Sequence, residues 1–190
     1  MSSKLILAET ELEQWHKLVH EAEVDYGCQL DESMQSYLVF TLMRFMKKQD
    51  LNAGALALDY LRTHSLPAKM QHEQLRDVGD QCLLVSGLYP KRAAKKLVRV
   101  SYYVNLGRSA YHHLGTCTQQ GMAELYHQLE DTFTLLMDLL QTIRQYNSPV
   151  MQPLEAMALW SDTGSRFAYT QLSAKALPLH EKLMSTKFKQ

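Results

Sequence analysis

The stretch from Asp31 to Lys48, DESMQSYLVFTLMRFMKK, constrains the fold more than any other, because as a helix it is apolar on nearly every face. A helix of this kind has to be enclosed by other elements. Asp31 and Ser33 precede the apolar run, and both residue types accept hydrogen bonds from the unpaired N–H groups at a helix start. The sequence therefore predicts that residues 31–48 form the central buried helix of the fold.

Capping signals place helices on either side of this stretch. Thr10 followed three residues later by Glu13 matches a capping box, and the first helix is predicted to end near Gly27. Pro67 and Gly87 bound a fourth helix, because proline suits the first turn of a helix and glycine suits its end.

The rest of the chain has helical spacing, and no segment alternates with the period of two that is typical of strands. Apolar residues over 122–143 recur four and three apart, which predicts one long helix with a bundle-type seam. Other helices are predicted over residues 52–62, 97–114, 153–160 and 166–176. We therefore predict an all-α fold, a single-domain bundle of about seven helices over residues 1–190, with residues 1–9 and 178–190 frayed.

The charge balance excludes some classes of partner. The 190 residues include 20 basic and 20 acidic side chains, so no net field draws the protein to nucleic acid or to an anionic membrane. No apolar run is long enough to cross a bilayer. The three cysteines are widely spaced and odd in number, which is typical of reduced thiols rather than of disulfides or zinc knuckles. We expect a cytoplasmic protein with no membrane or nucleic-acid partner.

One part of the chain is similar to known sequences. Around residues 76–112, the segments LRDVGDQCLLVSGLYP and VRVSYYVNLGRSAYHHL resemble those of a family of small, uncharacterised, all-helical bacterial proteins. The resemblance covers about the middle third of the chain and includes no catalytic motif. It implies a bacterial source and implies no activity.

The predicted fifth helix has an apolar stripe on one side and a polar arc on the other. This arc and the fourth helix supply a candidate ligand pocket, whose residues are Arg76, Asp80, Tyr102, Asn105, Arg108, Ser109 and His112. In such a pocket the arginines would hold a carboxylate or phosphate, Asp80 would orient Arg76, and His112 would act as an acid or base. The alternative is that these side chains form a satisfied hydrogen-bond network or a wet subunit interface.

Two Glu-x-x-His pairs raise the question of a metal site. Glu13 with His16 and Glu124 with His127 have the spacing found in di-iron carboxylate bundles. On a helical wheel, however, Glu124 and His127 lie opposite the seam of residues 122–143 and should face solvent. We therefore interpret both pairs as surface residues, and we predict no metal ligand and no cofactor.

Two further patterns are interpreted in structural terms. Five basic side chains follow one strip of a predicted helix: Lys91, Arg92, Lys95, Lys96 and Arg99. Such a strip can meet phosphates, but no aromatic residue interleaves it, so we favour a solvated surface. Cys82 lies on an apolar stripe, and we expect a buried thiol rather than a nucleophile.

No catalytic or cofactor motif is recognisable, and the predicted fifth helix presents more contact surface than one core needs. The sequence therefore favours a non-enzymatic interaction protein that acts as a homodimer or with a protein partner. The alternative is a small-ligand-binding protein or an enzyme that uses the pocket between the fourth and fifth helices.

Overall fold

The computed structural model describes residues 10–46, 55–95, 98–146 and 151–174, and within these ranges it contains helices and no strand. Nine α-helices follow one another: α1 (Glu11–Tyr26), α2 (Glu32–Met46), α3 (Leu56–Arg62), α4 (Ala68–Gly87), α5 (Pro90–Lys95), α6 (Val100–Cys117), α7 (Gln120–Asp131), α8 (Phe133–Gln145) and α9 (Pro153–Thr163). A 3₁₀ turn, Thr63–Ser65, follows α3, and residues 166–174 are also helical. The predicted all-α fold is confirmed. The frayed ends predicted for residues 1–9 and 178–190 lie outside the described ranges.

The helix ends in the first part of the chain follow the predicted capping signals. The Thr10 hydroxyl accepts a hydrogen bond from the Glu13 backbone N–H at 3.2 Å, and the Glu13 carboxylate accepts one from the Thr10 N–H at 2.7 Å. Gly27 ends α1 in the left-handed region, with φ of 72°. Asp31 accepts a hydrogen bond from the Met34 N–H at 2.8 Å, so it marks the start of α2.

The centre of the fold is occupied by α4. This helix packs against α3, α5, α6 and α8, and every residue from 82 to 87 is buried. The buried side of α2 includes Leu42 and Phe45, but its Phe40 is 58% exposed. The prediction that residues 31–48 form the central helix is therefore corrected for residues 31–46: among the described residues, α2 is covered mainly by α1 and α7 and leaves Phe40 exposed, while residues 47–48 lie outside the described ranges.

The seam over residues 122–143 belongs to two helices rather than one. At Thr132 the backbone leaves the helical region, with φ of −95° and ψ of 10°, and the Thr132 hydroxyl donates a hydrogen bond to the Gln128 carbonyl at 2.6 Å. As a result α7 packs chiefly on α6, whereas α8 packs on α4 and α1. Because of this break and the short α5, the described part of the chain contains more helices than the seven that were predicted.

A glycine brings α6 close to α4. A Cβ on Gly79 would lie 2.5 Å from Cε1 of Tyr111, so the ring of Tyr111 fits only because residue 79 has no side chain. Tyr111 is fully buried between the two helices together with Val104 and Leu114 of the same stripe. The opposite side of α6 is therefore turned outward.

A buried carboxylate ties the end of the described chain to the bundle. Asp138 of α8 accepts hydrogen bonds from the hydroxyls of Ser165 at 2.6 Å and Tyr26 at 2.9 Å, and from the Phe167 N–H at 3.0 Å. The buried apolar side chains form a core cluster with members from α1 to residue 168. In the part of the chain that the structure describes, no helix is both long and apolar enough to span a membrane.

Candidate functional site

A groove of about 620 Å³ runs along the outer side of α6 and is open to solvent. The α6 side chains that line it are Asn105, Arg108, Ser109, His112, His113 and Thr116. Most of these positions are three or four residues apart, which places them on one side of a helix. Tyr60 of α3 and Glu130 of α7 complete the lining. The structure thus brings together four residues of the predicted pocket, namely Asn105, Arg108, Ser109 and His112.

Three polar side chains of the groove are free to bind a ligand. Asn105, Arg108 and Ser109 are exposed, and their side chains make no hydrogen bond or ion pair with another described residue. The guanidinium of Arg108 offers a planar fork of N–H donors that matches a carboxylate or a phosphate. Asn105 and Ser109 lie within one turn of it and can each donate or accept a hydrogen bond.

The other three predicted pocket residues lie elsewhere, and this corrects the predicted pocket. Tyr102 is 45% exposed and packs edge-on against Tyr103. Arg76 is half-buried on α4, and its Nε finds no hydrogen-bond acceptor among the described residues. Asp80 is buried and turned toward α2. The groove therefore belongs to α6 with α3 and α7, and not to the junction of α4 and α6.

Asp80 is the acceptor in a buried network that joins α2, α4 and α6. Its Oδ1 accepts hydrogen bonds from the hydroxyls of Tyr37 at 2.6 Å and Tyr111 at 2.7 Å, and its Oδ2 accepts one from Arg44 at 2.6 Å. Burial raises the pKa of Asp80, and this outweighs Arg44 and the two hydroxyls, which lower it. Asp80 therefore orients Arg44, and not Arg76 as predicted.

Two histidines converge on one carboxylate at the α7 side of the groove. Nδ1 of His112, on α6, lies 2.9 Å from Oε2 of Glu130, and Nδ1 of His127 lies 3.7 Å from the same oxygen. One ligand atom from each of the three residues lies within 4.8 Å of the other two. Imidazole nitrogen and carboxylate oxygen are ligands that first-row transition metals take in proteins.

Gly115 makes room for His127 in this cluster. A Cβ on Gly115 would lie 2.5 Å from Cε1 and 2.7 Å from Nδ1 of the His127 ring, which is closer than van der Waals contact. The ring therefore rests on the bare backbone of α6. His127 was predicted to face solvent, and it is exposed, with 46% of its side chain accessible, but one part of its ring lies against Gly115 of α6.

A second pair of histidines lies beside the groove. The ring centroids of His64, in the 3₁₀ turn, and His113 are 5.4 Å apart. Burial lowers the pKa of His113, and the neighbouring His64, His112 and His72 lower it further. The imidazole of His113 is therefore neutral near pH 7 and can accept a hydrogen bond from a ligand.

The other sequence patterns have structural roles. In the first Glu-x-x-His pair, Glu13 is exposed and caps α1, as expected of a surface residue, and His16 is half-buried. The basic strip is not carried by one helix, because α5 ends at Lys95 and Arg99 precedes α6, where it pairs with Asp162 at 3.3 Å. Lys96 lies outside the described residues.

The cysteines match the prediction of reduced thiols. Cys28, Cys82 and Cys117 are free. Cys82 is fully buried, and burial raises the pKa of its thiol. The prediction of a buried thiol at Cys82 is confirmed, and a raised pKa disfavours the thiolate that a nucleophile needs.

Sequence reasoning missed Tyr60, Thr116 and Glu130 as parts of the site. The i,i+3 spacing of His127 and Glu130 was a visible signal, but the third member of the cluster comes from another helix.

Comparison with protein-family models, curated proteins and solved structures finds no match to this chain. Its function therefore has to be argued from its own residues.

Proposed function

We propose that the protein binds a small anionic ligand, a carboxylate or a phosphate, in the groove on α6. The observation that carries this proposal is the unpaired guanidinium of Arg108, with Asn105 and Ser109 beside it on the same side of the helix. A bidentate pair of hydrogen bonds from arginine fixes both the position and the orientation of such a group. Asn105 and Ser109 can then donate hydrogen bonds to the remaining acceptor oxygens of the bound anion.

The acidic residue of the groove does not compete for Arg108. Glu130 is engaged with His112 at 2.9 Å and with His127 at 3.7 Å. Its carboxylate therefore faces the two imidazoles on the α7 side, while Arg108 meets no carboxylate among the described residues. An incoming anion would supply the missing partner.

The experiment is a melting-temperature titration of metal-free protein with inorganic phosphate and with succinate. A ligand that prefers the folded state raises the melting temperature in proportion to the logarithm of its concentration once the site is saturated. Arg108→Lys keeps the charge but loses the planar fork, so the shift should be reduced or lost while the fold survives. Arg99→Lys, at the other end of α6, should leave the shift unchanged.

Two outcomes would contradict this proposal. One is the absence of a concentration-dependent shift with either anion. The other is a shift that persists unchanged in Arg108→Lys, because the bound anion would then lie elsewhere on the protein.

We propose self-association as a second function, on a different surface. Leu154, Met157 and Trp160 recur three residues apart on α9 and are 80%, 56% and 44% exposed. Tyr169 is 51% exposed and packs on Trp160, with ring centroids 5.4 Å apart. A contiguous exposed apolar patch is typical of a protein interface. A homodimer that pairs this patch with its own copy would cover it by a two-fold axis.

The setting proposed for both functions is the bacterial cytoplasm. The three free cysteines support a reducing compartment. The bacterial source rests on the sequence resemblance around residues 76–112.

A further inference from the structure

We propose that His112, His127 and Glu130 bind a divalent transition-metal ion of the class represented by Zn²⁺. Two of these residues, His112 and Glu130, also line the proposed anion groove, but the metal site goes beyond that groove because it needs His127 at the α6–α7 junction and does not need Arg108. Its ligands are two imidazoles and one carboxylate, a set that suits borderline ions such as Zn²⁺ rather than Mg²⁺ or Ca²⁺, which prefer oxygen ligands alone.

The distances are close to those that an ion would impose. Tetrahedral coordination at bonds of about 2.0–2.1 Å puts neighbouring ligand atoms about 3.3 Å apart. The two nitrogen-to-oxygen separations at Glu130 are 2.9 Å and 3.7 Å, and no ligand pair exceeds 4.8 Å. Small rotations of partly exposed side chains would close the difference, since 60% of the His112 side chain and 46% of that of His127 are exposed.

The support around the cluster comes from the packing of α6 on α7. Gly115 leaves space for the His127 ring, so this imidazole is held beside α6 instead of extending into solvent. His127 and Glu130 project from one side of α7 because they are three residues apart. Three protein ligands leave a fourth position for water or for an anion, as in open zinc sites.

The chain offers a matched control for this cluster. His20 and Glu23 on α1 have the same spacing as His127 and Glu130, and Nδ1 of His20 also lies 3.7 Å from the Glu23 carboxylate. However, the Glu23 oxygens already accept hydrogen bonds from the Leu30 N–H and the Gln35 amide. No third histidine, cysteine or carboxylate completes a cluster there among the described residues.

The test is calorimetric titration of Zn²⁺ into the full chain after chelator treatment and dialysis, with the Co²⁺ absorption spectrum as a second readout. We expect one ion per chain at this site, and affinity that falls by about tenfold or more in His127→Gln and in Glu130→Gln, since each removes a direct ligand. His20→Gln should bind like the wild type. Far-UV circular dichroism checks that each variant is folded.

Gly115→Ala tests the site without removing any ligand. The new methyl group would meet the His127 ring, so this variant should stay folded and still lose Zn²⁺ affinity. Absence of Zn²⁺ binding, or equal affinity in the wild type, His127→Gln and Gly115→Ala, would overturn the proposal. A thiolate charge-transfer band with Co²⁺ would also overturn it, because the ion would then be bound by a cysteine.

The two proposals can fail separately. Arg108→Lys should leave Zn²⁺ affinity unchanged, because Arg108 is not a ligand. Phosphate binding by metal-free protein should survive in His127→Gln, because His127 does not line the groove. Loss of both Zn²⁺ and phosphate binding in either single variant would overturn the proposal of a separate metal site, because the ion and the anion would then share one site.

Discussion

Removing the hydroxyl of Tyr111 should reveal how much the buried Asp80 network stabilises the fold. In Tyr111→Phe the ring that fills the space over Gly79 is kept, and the hydrogen bond to Asp80 at 2.7 Å is lost. A hydrogen bond to a charged group is worth about 1.5–3 kcal/mol. For a chain of this size that corresponds to a fall in melting temperature of about 3–12 °C.

The cost of Tyr111→Phe should depend on pH in a defined direction. The folded-state pKa of Asp80 is already raised above 3.8 by burial, and loss of a hydroxyl that lowers it raises it further in the variant. Above both folded-state values the carboxylate is ionised in both proteins, so the full destabilisation is present. As the pH falls through these values the variant takes up a proton first, and the difference in unfolding free energy shrinks.

Tyr126→Phe is the matched control for this experiment. The Tyr126 ring stacks on that of Tyr111, with centroids 6.3 Å apart, and its hydroxyl makes no hydrogen bond with a described residue. Urea unfolding at about pH 7.5 and about pH 5 gives the free energies. A cost below about 0.5 kcal/mol for Tyr111→Phe, or a cost that grows as the pH falls, would refute the assigned role of Asp80.

Two other predictions test which side of a helix is buried or forms an interface. Phe45→Ala should lower the unfolding free energy by about 3–5 kcal/mol, because the Phe45 side chain is only 5% exposed. Phe40→Ala, on the exposed side of α2, should change it by less than about 0.5 kcal/mol. Equal effects of the two substitutions in urea unfolding would contradict the position of α2. Leu154→Asp should convert a dimer to a monomer in sedimentation velocity, and Val24→Asp, on the exposed side of α1, should not; a wild type that is monomeric at micromolar concentration would contradict the dimer.

The sequence predicted helix ends well because a helix end depends on interactions between residues that are close in the sequence. The capping box of Thr10 and Glu13 involves residues three apart, and Gly27 ends α1 through its own backbone conformation. Neither depends on what packs against the helix. The polar arc of α6 was predictable for the same reason, since helical periodicity alone sets which of its side chains share a side.

The choice of the central helix could not be made from apolar content. Residues 31–48 have a more apolar pattern than α4, yet α4 is the helix that packs against neighbours on several sides. Buried positions of α4 include small or polar residues such as Gly79 and Ser86. Small residues allow neighbouring helices to approach from several sides, and a buried hydroxyl is tolerated when a backbone carbonyl accepts from it, as Cys82 does for Ser86 at 2.8 Å. Hydropathy records how much surface is apolar, and it does not record how closely neighbours can approach.

The histidine cluster shows the same limit at a candidate site. His112 and His127 are on different helices, and they meet at Glu130 because of the way α7 packs along α6. The residue spacing within one helix does not determine how two helices are aligned. Within α6, glycine at 115 has a cost of about 1 kcal/mol relative to alanine in a helix interior. That cost is understandable once the ring of His127 is seen to occupy the space of the missing Cβ. Gly115 lies just beyond the predicted helix 97–114 but within the observed α6, so a glycine inside a helix is here a sign of a close neighbour, and that neighbour is one of the proposed metal ligands.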